Sequence, residues 1–502
     1  MTNSSPSSTE NNRPRRKGLL AAGFAIICIL AALGTAAYHY IQFSSRESTL
    51  PIGTSIADIP VGGLTDVAAT SRLEAAYFTP ISIRYRDQSF QLPPQHIGFQ
   101  LQMGEMLAET EYSVSASDWS TFWGYLWSET SIVEQNAALR ATYSEQLLRE
   151  YLQDVSNRYD DPVLEPWADP EMLITIQGSP GTALNIEAAI LEIQAALFTP
   201  CPRLVTLTGN YQSAPAPSID ILENQIRSYL ELQEFNNLFS LYLIDLRNDD
   251  RIHMNLWQGQ DISTVPDIAY SGMSVMKIYI LAEFYRQVTD GAFPYELDLV
   301  EKSITESSNW TSNLLIEWIG DLNANNGLFH LNETIAALGL EGTFIGGLYD
   351  TEEAPGFRFT PSNTREDITT APDPYMQTTP ADIGQLLEGI YRCADSGDGL
   401  LVEVFGEQFT QQECTDMINW LASNEIGVLI EAGVPGDVAV AHKHGWAEGE
   451  PIGDAGLVLT AAGDYVLVYY VWYPEYTYWD ENSALLADIS RAIYSYFNPL
   501  TP

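Results

Sequence analysis

The segment GMSVMKIYILAEFY, residues 272–285, places Ser274 and Lys277 three positions apart at the head of an apolar run. A serine in the first turn of a buried helix sits at the positive end of the helix dipole. A lysine three residues on lies on the same face, where burial lowers its pKa toward that of a base. Such a pair supplies a nucleophile and a proton acceptor. The same spacing also arises from a helix cap followed by a surface lysine. Scarcity sharpens the signal, because the chain holds only four lysines, Lys17, Lys277, Lys302 and Lys443, and a single Ser-x-x-Lys.

Two further clusters lie downstream. Ser307-Ser308-Asn309 precedes TSNLLIEWIG, where a helix carries Leu314, Leu315 and Trp318 inward. A hydroxyl there can relay a proton and the asparagine amide can hold a carbonyl, although an N-terminal cap would use the same residues. Lys443-His444-Gly445 closes the strand VAVAHKHGW. Glycine lets a substrate lie against the strand edge and the ammonium group can bind a carboxylate; a short edge strand guarded by a lysine reads the same way.

Around these clusters, residues 219–502 have the length of one large domain. It opens with a helix to about Glu234 and a hairpin made of Ser240–Leu246 and Arg251–Leu256. It closes with strands at Val438–Trp446, Gly456–Thr460 and Tyr465–Trp472 and a helix at Ser483–Phe497. The middle is largely helical, which predicts an α/β (α+β) fold whose two ends form one antiparallel sheet flanked by helices.

With the three clusters in this order, the domain resembles a class A β-lactamase-type serine hydrolase of the penicillin-recognising serine enzyme family. The carrying residues are GMSVMKI, SSNWTSNLLI, Leu338-Gly339-Leu340, Thr378-Thr379-Pro380-Ala381-Asp382-Ile383 and His442-Lys443-His444-Gly445-Trp446. The resemblance implies acyl transfer through a serine ester on β-lactams or peptidoglycan peptide amides, with no metal or cofactor. It makes Ser274 the nucleophile, Lys277 its base, Ser307 the proton relay, Asn309 the holder of the substrate amide and Lys443 the partner of the substrate carboxylate. His444, Gly445 and Trp446 belong to the substrate-binding edge, and the backbone N–H groups of Ser274 and Trp446 form the oxyanion hole.

Three departures bear on activity. His444 replaces the family's threonine and is expected to titrate near neutrality. The 33 positions between Ser274 and Ser307 fall short of the family's usual interval. In FRFTPSNTREDITTAPDPYMQ, Glu366 is the candidate deacylation base, but Thr370 stands where the family has an asparagine. Loss of that base favours slow release, as in a D-alanyl-D-alanine carboxypeptidase or a non-catalytic wall-binding penicillin sensor.

Toward the N-terminus, residues 1–50 carry five basic and two acidic residues, whereas 51–502 carry 18 basic and 64 acidic within a total net charge of -43. So acidic a surface disfavours nucleic acid and anionic lipid as partners. Gly18–Ala37 holds no charge and is long enough to span a bilayer, preceded by the basic Arg-Pro-Arg-Arg-Lys. The expectation is a cytoplasmic arm over 1–17, a membrane anchor over 18–40 or a cleavable signal peptide, and the bulk of the chain on the extracytoplasmic side.

Residues 51–210 read as a small α+β domain, with a capped helix at Thr65–Tyr77, a hairpin from Ile81, helices at Ser144–Tyr159 and Asn185–Leu197, and a strand at Leu173–Ile176. On Ile59-Pro60-Val61-Gly62-Gly63-Leu64-Thr65, on Pro180-Gly181 and on the helix from Asn185, it resembles the peptidoglycan-binding domain found beside L,D-transpeptidases. That resemblance implies a cell-wall glycan partner; a plain spacer domain fits the same turns. YQSAPAPS, residues 211–218, reads as a linker. Cys393 and Cys414 lie 21 positions apart and can form a disulfide in an oxidising compartment, and no CxxC spacing suggests a zinc or redox site.

Overall fold

Arg15–Ser44 forms one helix, α1, of which Ala21–Ser44 is long and apolar enough to cross a membrane. It runs past residue 40 because no proline or glycine interrupts it there. The computed structural model describes residues 15–45, 49–110, 119–127, 134–288, 291–351 and 357–501, so most of the expected basic arm, 1–14, lies outside the described residues. The chain divides into two units, Met1–Pro162 with Gly181–Gln212, and Val163–Pro180 with Ser213–Pro502.

In the first unit, α2 (Asp66–Tyr77) starts where Thr65 Oγ1 accepts from the N–H of Ala68. β1 (Ile81–Tyr85) and β2 (Gln88–Leu92) form the expected hairpin in the register Ile83 opposite Phe90. α3 (Glu145–Tyr159) and α4 (Ile186–Leu197) are capped by Ser144 and Asn185, and β3 (Leu204–Leu207) joins β1 in parallel. Leu73, Tyr77, Ile83, Leu148, Leu152 and Ile193 share the core.

The second unit is built on a six-stranded antiparallel sheet. α5 (Ile219–Leu232) is followed by β4 (Leu238–Asp245), β5 (Arg251–Trp257) and β6 (Gln260–Ile262). After a helical excursion come β7 (Ala439–Gly445), β8 (Ile452–Leu459) and β9 (Tyr465–Trp472), giving the order β6-β5-β4-β9-β8-β7. Every residue of the central strand β4, LFSLYLID, is buried, as a strand covered on both faces requires. Its alternation divides two cores: Phe239, Leu241 and Leu243 face one, and Leu238, Tyr242 and Ile244 the other. α5 and the closing helix α12 (Trp479–Phe497) pack on the first face.

The other face carries α6 (Lys277–Gln287), α7 (Pro294–Ile304), α8 (Asn309–Ile319), α9 (Ala324–Ala337), α10 (Pro380–Ser396) and α11 (Gln411–Ala422). The expected antiparallel sheet flanked by helices is therefore the architecture adopted. Cys393 at the end of α10 is disulfide-bonded to Cys414 in α11. One segment departs from the expected 51–210 span: the hairpin Trp167–Asp169 with Ile174–Ile176 belongs to the second unit. The N–H of Thr175 donates to Ser495 Oγ at 2.7 Å, and that of Leu500 to the Thr175 carbonyl at 2.9 Å. Strand propensity shows that 173–176 is extended but not which distant segment it meets.

Candidate active site

Ser274 sits in a single 3-10 turn, Met273–Met276, and α6 begins at Lys277 rather than before the serine. In a 3-10 turn the side chains at i and i+3 eclipse. Lys277 Nζ accordingly lies 3.1 Å from Ser274 Oγ. Met273, just before the serine, has φ 47°, a left-handed conformation that costs free energy in a residue with a Cβ and needs surrounding support. The buried Tyr349 provides it, its hydroxyl donating to the Met273 carbonyl at 2.9 Å.

α8 brings the second cluster. Ser308 caps the helix, its hydroxyl accepting from the N–H of Thr311, which leaves Ser307 free of that task. Ser307 Oγ lies 3.0 Å from Ser274 Oγ and 3.2 Å from Lys277 Nζ. Lys277 Nζ also donates to the Ser307 carbonyl at 2.6 Å and to Asn309 Oδ1 at 2.9 Å. These last two oxygens can only accept. They therefore take both hydrogens of a neutral amine and leave its lone pair for a serine hydroxyl.

Burial is the main reason that the Lys277 pKa falls to about 7, and the nearby positive charge of Lys443 lowers it further, while Asp350 opposes the shift. The amine is thus poised near neutrality, where a general base works best. The Tyr349 ring lies beside it, with its centroid 5.0 Å from Nζ.

The third cluster arrives on β7. Lys443, Ala455 and Val468 share the sheet face that carries Lys277, whereas His444 pairs with Asp454 and Tyr469 on the opposite face. Lys443 is fully buried, and its hydrogen bond within the protein is a long one, 3.5 Å to the His444 carbonyl. Among the described residues no carboxylate pairs with it. Burial lowers its pKa to about 8, with Asp454 opposing. A buried cation so weakly satisfied can accept an anionic group as its partner.

Gly445 ends the strand against the Ser274 turn: a Cβ there would lie 3.1 Å from Met273 Cβ and 3.2 Å from Val275 Cγ2. Its lack of a side chain brings the edge, and the exposed Trp446 after it, alongside Ser274. Below the strand, the fully buried His442 bonds Asp454 at 2.8 Å and holds β7 to β8.

His444 and Glu366 complete the expected set. Burial, then Lys443, depresses His444 to about 4, so it is neutral at physiological pH rather than titrating near neutrality, and its ring packs toward Trp479. Glu366 is exposed, on a segment anchored to the stretch that precedes the Ser274 turn. There Arg365 bonds the carbonyls of Ser263 and Pro266, and the Thr370 hydroxyl donates to Ala269 O. Among the described residues no hydrogen bond joins Glu366 to Ser274, Lys277 or Asn309.

The sequence reading missed Asn313, Tyr349 and Asp350. Asp350 Oδ2 accepts from Asn309 Nδ2 at 2.9 Å. Asn313 brackets Tyr349, donating to its carbonyl and accepting from its N–H, each at 2.9 Å. The only sequence signal was Asn313 one helical turn after Asn309 on the same helix face. Among the described residues no group of His, Cys, Asp and Glu is arranged to hold a metal ion.

Residues 294–497 match the model of the beta-lactamase enzyme family, a span that includes Ser307, Asn309 and Lys443 and begins after Lys277. Among solved structures, the chain is similar to PBP-A in an acyl-enzyme complex with penicillin G, at 21% identity and TM-score 0.41, covering 57% of this chain and 99% of that one. PBP-A itself gives 22% identity and TM-score 0.40, with the same 57% and 99% coverage. An ancestral class A beta-lactamase gives 20% identity and TM-score 0.39, covering 54% of this chain and 98% of that one. No curated protein matches the sequence. Residues 294–497 of the second unit thus match the beta-lactamase enzyme family, in keeping with a serine hydrolase.

Proposed function

We propose that this domain is of class A type and opens β-lactams or peptidoglycan peptide amides through an ester on Ser274. The observation that carries this reading is the buried Lys277 amine, 3.1 Å from Ser274 Oγ and hydrogen-bonded so as to accept a proton. Lys277 takes the Ser274 proton as Oγ attacks the carbonyl carbon. Ser307, in contact with both, passes a proton to the leaving nitrogen. Asn309 directs its amide toward the substrate, and Lys443 receives the carboxylate that both substrate classes carry.

The apolar helix Ala21–Ser44 supports anchoring in a membrane, and the basic stretch Arg13–Lys17 before it supports the bulk of the chain lying outside. The resemblance over Ile59–Thr65 supports cell-wall glycan as the partner of the first unit. The test is labelling of the full chain in detergent by a fluorescent penicillin. Wild-type protein should be labelled and Ser274→Ala should not; equal labelling of both would remove Ser274 as the nucleophile.

A further inference from the structure

We propose that Asp350 is the carboxylate that drives release of the acyl group from Ser274, a role that rests on the acyl-enzyme reading above. The place of this residue is determined from two sides. Asp350 Oδ2 accepts from Asn309 Nδ2, and Asn309 Oδ1 accepts from Lys277 Nζ, each at 2.9 Å. One amide therefore joins the carboxylate to the base of the nucleophile. The residue before it, Tyr349, is gripped at both backbone atoms by Asn313, and its hydroxyl reaches the Met273 carbonyl, one residue before Ser274.

Asp350 takes φ 56°, a left-handed conformation that aspartate tolerates better than most side chains and that turns the chain just past Tyr349. It is exposed, so water reaches the carboxylate while the hydrogen bond to Asn309 keeps it at the site.

The other acidic candidates are occupied elsewhere. Glu366 stands on the segment tethered to Ser263 and Pro266. Glu450 accepts from Ser271 Oγ at 3.0 Å, and that hydroxyl in turn accepts from the N–H of Asp373. Neither has a hydrogen bond to Asn309 or Lys277 among the described residues.

The step balances with water as the only co-reactant. Water oxygen bonds to the ester carbonyl carbon and its proton passes to Asp350. The bond from that carbon to Ser274 Oγ then breaks. Oγ recovers one proton by way of Lys277, which is replenished from Asp350, and the acyl group leaves as a carboxylic acid.

The test follows the mass of the full chain in detergent after a pulse of benzylpenicillin and removal of the excess. It compares wild type with Asp350→Asn, Asp350→Glu and Glu366→Gln, with thermal unfolding recorded for each. The adduct on Asp350→Asn should outlive the wild-type adduct by about tenfold or more at an unchanged unfolding midpoint, and Asp350→Glu should recover part of the release rate. Equal adduct lifetimes in wild type and Asp350→Asn would overturn the assignment, as would a lengthened lifetime confined to Glu366→Gln. No adduct on the wild-type protein would instead overturn the acyl-enzyme reading, and this inference with it.

Discussion

The hydroxyls of Ser274 and Ser307 lie 3.0 Å apart although 33 positions separate them in the chain. The contact exists because Ser308, not Ser307, caps α8, and because the Ser307 carbonyl is held by Lys277 at 2.6 Å. Ser307 thereby keeps its hydroxyl for Ser274 and Lys277, as the proposed proton relay requires. Ser307→Ala should slow acylation about a hundredfold or more, since a positioned acid–base group contributes on that scale, and leave the unfolding midpoint near wild type. Stopped-flow labelling with a chromogenic cephalosporin reads the rate; a loss of less than threefold would assign the hydroxyl a structural role.

Lys277→Ala removes the amine that meets Ser274, Ser307 and Asn309 at once. Acylation should fall by orders of magnitude while far-UV circular dichroism stays unchanged, because α6 keeps its apolar face toward the core. A near-wild-type rate would mean that another group accepts the proton.

The two lysines predict a bell-shaped pH profile for acylation. Lys277 must be neutral to act, and its pKa is lowered to about 7, so the rate should rise as pH climbs through that value. Lys443 must be charged to hold a carboxylate, and its pKa is lowered to about 8, so binding should weaken as pH passes that value. Their mutual repulsion makes the two limbs properties of the pair. A rate that keeps rising to about pH 10, the range of an unshifted lysine, would contradict the low pKa of the base.

The Cys393–Cys414 bridge closes a loop of 21 positions between α10 and α11. Cys414→Ser should lower the stability of the second unit by about 3 kcal/mol in denaturant unfolding under non-reducing conditions. The acylation rate should hold, because among the described residues neither cysteine has a hydrogen bond to Ser274, Lys277 or Ser307. Unchanged stability would show that α10 and α11 are held by packing alone.

Much of this was legible in local sequence. Ser274 and Lys277 are joined by a spacing that one turn brings together, and the strands around Leu238–Asp245 and Tyr465–Trp472 announce themselves as largely apolar runs. What escaped depends on contacts far apart in the chain. Tyr349 meets Met273 across 76 positions, and Asp350 meets Asn309 across 41. Neither carries a local period or motif. Glu366 is the one glutamate in its segment, and the anchoring of the neighbouring Arg365 on Ser263 and Pro266 is another contact that no local pattern shows. His444 departs from the near-neutral titration expected of it because burial, which only the fold reveals, lowers its pKa to about 4.

The most direct test of the central claim is intact-mass spectrometry of the full chain in detergent after mixing with benzylpenicillin, followed by peptide mapping of the adduct. One penicilloyl group per chain, located on the peptide containing Ser274 and absent from Ser274→Ala, is the predicted result. An adduct on any other residue, or none at all, would contradict it.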